Sequence, residues 1–261
     1  MNSKTDYIAV FDSGVGGISV LRHLLQIMPN ERYLYFGDSA NAPYGSRSAQ
    51  QVQQLTIAAV EKLMGYGVKA LVIACNTATA AAIEMLRQRY PDTIVIGIEP
   101  AVKIAAEHFP KGTIGVLATP VTLSAEKYKQ LSQRFENGCQ VIPIPAPGLA
   151  GLVEEGKIND PETRKLLETL LAPYVGKLDA LVLGCTHYPF VKTQICQILG
   201  KSVPLYDGGE GTAKETKRRL EAADLLHDGS GTVRLENSIP GEETLQRTMR
   251  LLKTGVEDAY E

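Results

Sequence analysis

Two cysteines of the 261-residue chain stand in matching surroundings. Ala70-Leu71-Val72-Ile73-Ala74-Cys75-Asn76-Thr77 parallels Ala180-Leu181-Val182-Leu183-Gly184-Cys185-Thr186-His187, an offset of 110 residues from Cys75 to Cys185. Each Cys closes an apolar run and is followed by small polar residues. Where such a run is a strand leading into a helix, the positive end of the helix dipole is expected to lower the thiol pKa. A free thiol near pKa 8.5 is only about 3% ionised at pH 7, and a drop of roughly 2 units makes it mostly thiolate, equivalent to about 2.7 kcal/mol. Two thiols facing each other across a cleft suit proton transfer at one carbon. One removes a proton from the first face while the other delivers a proton to the opposite face, and a stereocentre is inverted. Asp12 and His187, the latter two residues beyond Cys185, could serve as proton acceptors or electrostatic partners. Cys139 and Cys196 lack this setting and are expected to pack as small core hydrophobes.

The elements that must position these groups alternate along the chain. Strands are predicted at 7–11, 32–37, 70–74, 93–97, 113–118, 140–144, 180–184 and 203–206. Helices lie between them, among them 48–64, where Val52, Leu55, Ala59 and Leu63 recur at helical spacing, and 161–171, with Asp160 as N-cap. Nearly all-apolar strands alternating with helices indicate an α/β fold with mostly parallel sheets covered on both faces. A weaker echo relates Ile8-Ala9-Val10-Phe11-Asp12-Ser13 to Ile114-Gly115-Val116-Leu117-Ala118-Thr119, at an offset of 106. Two similar offsets suggest a duplicated α/β half, each half contributing one strand ending in a hydroxyl residue and one ending in a cysteine. The remainder, with a helix near 212–225, a strand at 232–236 and a helix near 242–252, is too short for another half and is expected to pack back on the first.

Ligands of parallel α/β sheets bind beyond the carboxyl ends of the strands. That edge would collect Asp12 and Ser13; Asp38 and Ser39, leading to Pro43-Tyr44-Gly45; Cys75, Asn76 and Thr77; Thr119 and Thr122; and Cys185, Thr186 and His187. Lys69, Lys111, Lys177 and Lys201 fall at the opposite ends and read as ordinary solvated charges. Asp12-Ser13-Gly14-Val15-Gly16-Gly17 is a glycine-rich turn entering a helix, a place where backbone N–H groups suit a phosphate or carboxylate. It matches no nucleotide-binding signature.

Composition excludes several classes. With 27 basic and 29 acidic residues the formal charge is −2, without the basic excess of a dedicated nucleic-acid binder. Hydrophobic residues make up 44% and charged residues 21%, which fits a folded globular chain rather than a disordered one. No apolar stretch approaches a membrane span, and the start lacks an apolar signal core, so a cytoplasmic location is expected. Four cysteines do not make a disulfide framework.

Taken together, Phe11-Asp12-Ser13-Gly14-Val15-Gly16-Gly17, the segment from Tyr35 through Asp38 and Pro43 to Gly45, Ala74-Cys75-Asn76-Thr77-Ala78 and Gly184-Cys185-Thr186-His187-Tyr188-Pro189 resemble the glutamate racemases of the cofactor-independent aspartate/glutamate racemase superfamily. The His after the second Cys favours the glutamate branch, since the aspartate branch tends to carry an acidic residue there. The resemblance implies two pseudo-symmetric α/β domains, residues 1–97 plus 208–261 and residues 98–207, with the site in the cleft between them. It implies interconversion of L- and D-glutamate without pyridoxal phosphate, metal or other cofactor, D-glutamate feeding peptidoglycan synthesis. Cys75 would take the α-proton from the D-enantiomer, assisted by Asp12, and Cys185 from the L-enantiomer, assisted by His187. Glu154 resembles an acidic residue supporting that second side, with Glu155 as an alternative alignment. Implied substrate contacts are Ser13, Pro43, Tyr44, Gly45, Asn76, Thr77, Thr119, Thr122 and Thr186. Homodimers are common in the family, although no surface here marks an interface. At Asp207-Gly208-Gly209-Glu210 the chain departs from the family pattern, and no site role is assigned there.

Other readings stay open at this point. An aspartate or other amino-acid racemase would share the scaffold. A zinc site from Cys75, Cys185, His187 and Asp12 has acceptable ligand types but no common zinc spacing. A pyridoxal-phosphate racemase needs a lysine at the strand-end edge. A non-enzymatic two-lobed amino-acid binding protein would also place its ligand between α/β halves, and turnover of L-glutamate discriminates against it.

Overall fold

A computed structural model describes residues 3–126, 128, 130 and 138–253. In chain order the described elements are β1 (Tyr7–Asp12), α1 (Ile18–Ile27), β2 (Arg32–Gly37), α2 (Ala49–Met64), β3 (Val68–Ile73), α3 (Asn76–Arg89), β4 (Ile94–Gly97), α4 (Val102–His108), β5 (Thr113–Ala118), α5 (Pro120–Ser124), β6 (Gln140–Pro145), α6 (Leu149–Glu154), α7 (Pro161–Leu171), β7 (Ala180–Leu183), α8 (Lys192–Leu199), β8 (Leu205–Asp207), α9 (Gly209–Ala222), β9 (Thr232–Asn237) and α10 (Glu242–Lys253). Helix starts follow local chemistry. Ser48 and Gln51 close a reciprocal capping box on α2, and the Asp160 carboxylate accepts the Glu162 N–H ahead of α7.

The fold is α/β, as expected. One sheet has the order β4-β3-β1-β2-β9 and the other β6-β5-β7-β8, and every described pairing is parallel. Read from the opposite edge, the second sheet runs β8-β7-β5-β6, the same arrangement as β4-β3-β1-β2. The register repeats as well. Ile8 pairs with Ala70 and Phe11 with Ile73, while Ile114 pairs with Ala180 and Leu117 with Leu183. Both offsets noted in the sequence are therefore satisfied by one strand-pair geometry, and the duplicated half is visible in topology. Because β1 and β5 are central and parallel, Asp12 and Thr119 emerge beside Cys75 and Cys185 respectively.

Each sheet is covered on both faces. Ile8, Val10, Tyr33, Tyr35, Ala70 and Val72 pack on one side of the first sheet, and Ala9, Phe11, Leu34, Phe36, Leu71 and Ile73 on the other. This strand alternation explains why the runs carry apolar residues at every position. The segment after β8 returns to the first sheet: β9 extends it beside β2, and α9 and α10 pack on α1. Cys139 is buried in one core layer of the second lobe, and Cys196 packs against the other. Among the described residues, no helix is long and apolar enough to cross a membrane.

Lys69 corrects an expectation. It is not a solvated charge but is fully buried within β3, with its Nζ 2.7 Å from the equally buried Glu31 Oε2. The ammonium also donates to the carbonyls of Lys4 at 2.7 Å and Leu225 at 2.8 Å. Burial pulls its pKa down, and Glu31 opposes that pull. Backbone at Lys4 and Leu225, far from Lys69 in sequence, folds over this ion, which a local sequence pattern does not register. Lys111, Lys177 and Lys201 are exposed, as expected.

Candidate active site

The carboxyl ends of the two sheets meet, and the candidate residues converge there. Cys75 is the N-cap of α3, and its sulfur accepts the Ala78 N–H at 3.4 Å. Its thiol donates to Ser13 Oγ at 3.5 Å. Cys185 lies at the end of β7, with Sγ 3.6 Å from His187 Nδ1. Both thiols are buried and free. They are close enough that charge on Cys185 adds to the raised pKa of Cys75.

Cys75 does not behave as its helix position suggested. Burial and then the Asp12 charge push its pKa up to about 12, against the smaller opposing effects of Ser13 and the Ala78 N–H. The helix terminus is present, but desolvation of a thiolate in a closed site outweighs it. At neutral pH Cys75 is therefore a thiol, a proton donor rather than a standing base.

Asp12 ties the two lobes together. Its carboxylate accepts the Gly14 N–H at 2.9 Å on one oxygen and the Thr186 hydroxyl at 2.9 Å on the other. Burial pushes its pKa up, and the charge on His187 opposes this. Ser19 Oγ donates to Thr186 O at 2.9 Å, a second link to the same residue.

His187 is paired with Glu154, not Glu155. Its Nε2 is 2.5 Å from Glu154 Oε1, whereas the Glu155 carboxylate lies 2.8 Å from Lys157 Nζ. Burial alone would lower the His187 pKa, but hydrogen bonds to Cys185 and Glu154 raise it well above 6.5. Burial would likewise raise the Glu154 pKa, but His187, the Val15 N–H and Ser39 hold it below the usual carboxylate range. The Val15 N–H donates to Glu154 Oε1 at 2.6 Å. The glycine turn thus does receive a carboxylate, one supplied by the chain itself. The missing side chains make room for the pair: a Cβ on Gly14 would fall 1.8 Å from Glu154 Oε1, and one on Gly16 would fall 2.4 Å from His187 Nδ1.

The remaining candidates line the same cleft. The hydroxyls of Thr77, Thr119 and Thr122 form a triangle across the lobes, at 3.1, 3.2 and 2.9 Å. Thr119 also caps α5, accepting the Thr122 N–H. Pro43, Tyr44 and Gly45 form a turn seated on the start of α5, and a Cβ on Gly45 would fall 2.7 Å from Thr119 Cγ2. Tyr44 is buried and donates to Asp38 Oδ2 at 2.6 Å. The buried Asn76 Oδ1 makes no hydrogen bond among the described residues. No group of three or more His, Cys, Asp or Glu side chains is arranged to hold a metal ion among the described residues. Ser39, placed on the strand-end edge by the sequence without a role, donates its hydroxyl to Glu154 Oε2 at 3.2 Å. Two contributors were given no site role from the sequence: Tyr35, which donates to Gly14 O at 2.5 Å, and Arg247, which donates to Glu154 O. Tyr35 and Arg247 carried no local signal.

Two α/β lobes of matching topology, each presenting a buried thiol to a shared cleft, define a racemase scaffold. The family model described as "Asp/Glu/Hydantoin racemase" matches residues 11–216, and the chain belongs to that family. Its similarity is to the glutamate racemases. It is 45% identical to the glutamate racemase of Clostridium acetobutylicum, over 97% of this chain and 99% of that relative. The structure of the glutamate racemase isoform RacE1 from Bacillus anthracis superposes with a TM-score of 0.87 at 33% identity, covering 96% of this chain and 95% of that one. The glutamate racemase of Francisella tularensis, solved in complex with D-glutamate, gives a TM-score of 0.83 at 29% identity, with coverage of 96% and 95%.

Proposed function

We propose that this chain interconverts L- and D-glutamate, with Cys75 and Cys185 exchanging protons with opposite faces of Cα. The observation that carries the reading is the topological equivalence of the two thiols, buried at matching strand ends and aimed into one cleft. Glutamate as substrate is supported by the family relatives and by the D-glutamate complex of a similar structure.

In the L-to-D direction a Cys185 thiolate removes the α-proton. His187, held charged by Glu154, sits at the sulfur and stabilises the thiolate. Cys75, a thiol at neutral pH, delivers its proton to the opposite face. The carbanion formed between these events bears charge on the α-carboxylate, which the hydroxyls and N–H groups around Thr77, Asn76 and Thr186 would receive. In the D-to-L direction Cys75 must first ionise. The substrate ammonium supplies a positive charge near the sulfur that lowers its pKa, and the raised pKa of Asp12 suits it to take up a proton. Ser13, Asn76, Thr77, Thr119, Thr122 and the turn Pro43-Tyr44-Gly45 would hold the two carboxylates and the ammonium. We assign the first domain to residues 1–97 and 208–261 and the second to 98–207. On this reading the product feeds peptidoglycan synthesis in a bacterial cytoplasm, where the four thiols remain reduced, and a homodimer is the assembly to test for.

Incubation of each enantiomer with pure protein in heavy water, followed by chiral analysis, tests the proposal. Racemisation from either side with deuterium at Cα of the product is expected, and Cys75→Ala or Cys185→Ala should abolish it. Retention of the original hydrogen, or near-parental racemisation by either variant, would overturn the two-thiol mechanism.

A further inference from the structure

Glu154 is tied to the C-terminal segment at two points, through its carboxylate and through its backbone. We infer that Ser39, Asn237 and Arg247 are positioning residues that align the Glu154–His187–Cys185 chain for proton transfer at Cys185. The inference rests on the racemase reading above and assigns that site a further set of residues.

The first tie is a directed chain of hydrogen bonds. Asn237 closes β9, and its Oδ1 accepts the Ile239 N–H at 2.9 Å. That bond leaves the amide nitrogen aimed across β2, where it donates to Ser39 Oγ at 2.9 Å. With an acceptor site of the hydroxyl occupied, Ser39 turns its single proton to Glu154 Oε2 at 3.2 Å. Glu154 Oε1 meanwhile meets the Val15 N–H and His187. Both oxygens of the carboxylate are thereby fixed, and with them the direction in which it pulls the imidazole. The crossing requires Gly37, because a Cβ there would fall 2.9 Å from Asn237 Nδ2 and 2.4 Å from Gly14 O. The Ser39 turn is itself pinned to the same segment, since the Ala40 N–H donates to Ser238 Oγ at 2.9 Å.

The second tie is Arg247 on α10. Its guanidinium donates to Glu154 O, a carbonyl at the last residue of α6 that the helix itself leaves without a partner, and to Glu243 Oε1 at 3.3 Å. Glu154 belongs to the second lobe, whereas β9 and α10 pack on the first. The chain from Asn237 to Cys185 is in line only when the lobes are in register, so the returning segment couples lobe position to the state of one thiol and not the other.

The test separates the two half-reactions. Deuterium at Cα of L-glutamate reports abstraction by Cys185, and deuterium at Cα of D-glutamate reports abstraction by Cys75. Ser39→Ala and Asn237→Asp are compared with the parent and with Glu154→Gln as reference. Loss of a hydrogen bond to a charged group should lower kcat/KM about tenfold. The diagnostic result is a larger isotope effect from the L-substrate with a smaller one from the D-substrate, because the Cys185 barrier then limits both directions. Arg247→Met should shift the pair of isotope effects the same way. Rate loss with both isotope effects unchanged would mark these residues as general scaffold and overturn the inference. If Glu154→Gln shifts the isotope effects and Ser39→Ala does not, the inference fails while the two-thiol reading stands. If Glu154→Gln itself shifts nothing, the role of Glu154 in that reading fails first. Should Asn237→Asp fail to fold, Ser39→Ala decides alone.

Discussion

Gly16→Ala is the sharpest perturbation available to the catalytic pair. Gly16 has no positive φ, so alanine is tolerated by the backbone and the effect is one of space. The added Cβ would stand 2.4 Å from His187 Nδ1 and 2.6 Å from both His187 Cε1 and Thr186 Oγ1. Restoring ordinary contact moves the imidazole by about an ångström, and a displacement of that size at a reacting group costs on the order of a hundredfold in rate. The same Nδ1 faces Cys185 Sγ, so this movement acts on the proton-transfer step. Overpacking should also cost about 1–3 kcal/mol of stability, some 2–4 °C in Tm per kcal/mol for a chain of this size. Gly151→Ala supplies the control. It lies in α6, three residues before Glu154, and a Cβ there meets nothing within 4 Å. That variant should keep parental turnover and gain up to about 1 kcal/mol from helix propensity. Turnover is followed by the circular dichroism of L-glutamate, with Tm measured alongside. A folded Gly16→Ala variant within about threefold of the parent, far from the hundredfold loss that misplacement implies, would refute the claim that His187 must sit against the turn.

Three further outcomes follow from the same contacts. The folded His187 pKa is raised, so its stabilising contribution is complete below the unfolded value near pH 6.5 and is lost as pH rises toward the folded value, at up to about 1.4 kcal/mol per unit. Denaturant midpoints of the parent and His187→Asn should therefore converge as pH rises above 6.5, and a constant difference would count against a protonated His187. Lys69→Met should cost about 3–5 kcal/mol in chemical denaturation because it strands the Glu31 carboxylate in the core, and the double variant with Glu31→Leu should lose less than the sum. With Cys75 pushed up to about 12, its alkylation by iodoacetamide, followed by peptide mass spectrometry, should still be accelerating above pH 10. A plateau near pH 8 would show that the thiol is not held protonated.

How far the molecule was legible in the sequence depends on the range of the interaction concerned. Strands read from apolar runs fall within a few residues of those observed, because burial on both faces demands apolar side chains at nearly every position. The repeated Cys after such runs indicated a duplicated geometry, and the matching registers of β1–β3 and β5–β7 carry it. What could not be read was anything set by partners far apart along the chain. Lys69 looked like a solvated charge because Glu31 and the covering carbonyls of Lys4 and Leu225 lie elsewhere in the sequence. The direction of the Cys75 shift was missed for the same reason: a helix terminus is local, whereas burial and the facing Asp12 are products of the fold. The glycine turn was recognised as a seat for an anion, but that the anion belongs to Glu154, 139 residues away from Val15, needed the structure.

The duplication explains why two thiols meet, and the differences between the halves explain how they can act in turn. Were their surroundings identical, both would hold or both would release a proton, and neither state can start a transfer across the substrate. Cys75 is set among neutral donors and beside Asp12, an environment that opposes a second negative charge. Cys185 is set against the His187 imidazole, which is kept protonated by a carboxylate from the same lobe. The scaffold supplies symmetry of position, and Asp12 on one side with the His187–Glu154 pair on the other breaks the symmetry of charge. Exchanging those partners between the lobes should exchange the roles of the sulfurs, whereas removing the charged pair should slow the half-reaction that begins at Cys185.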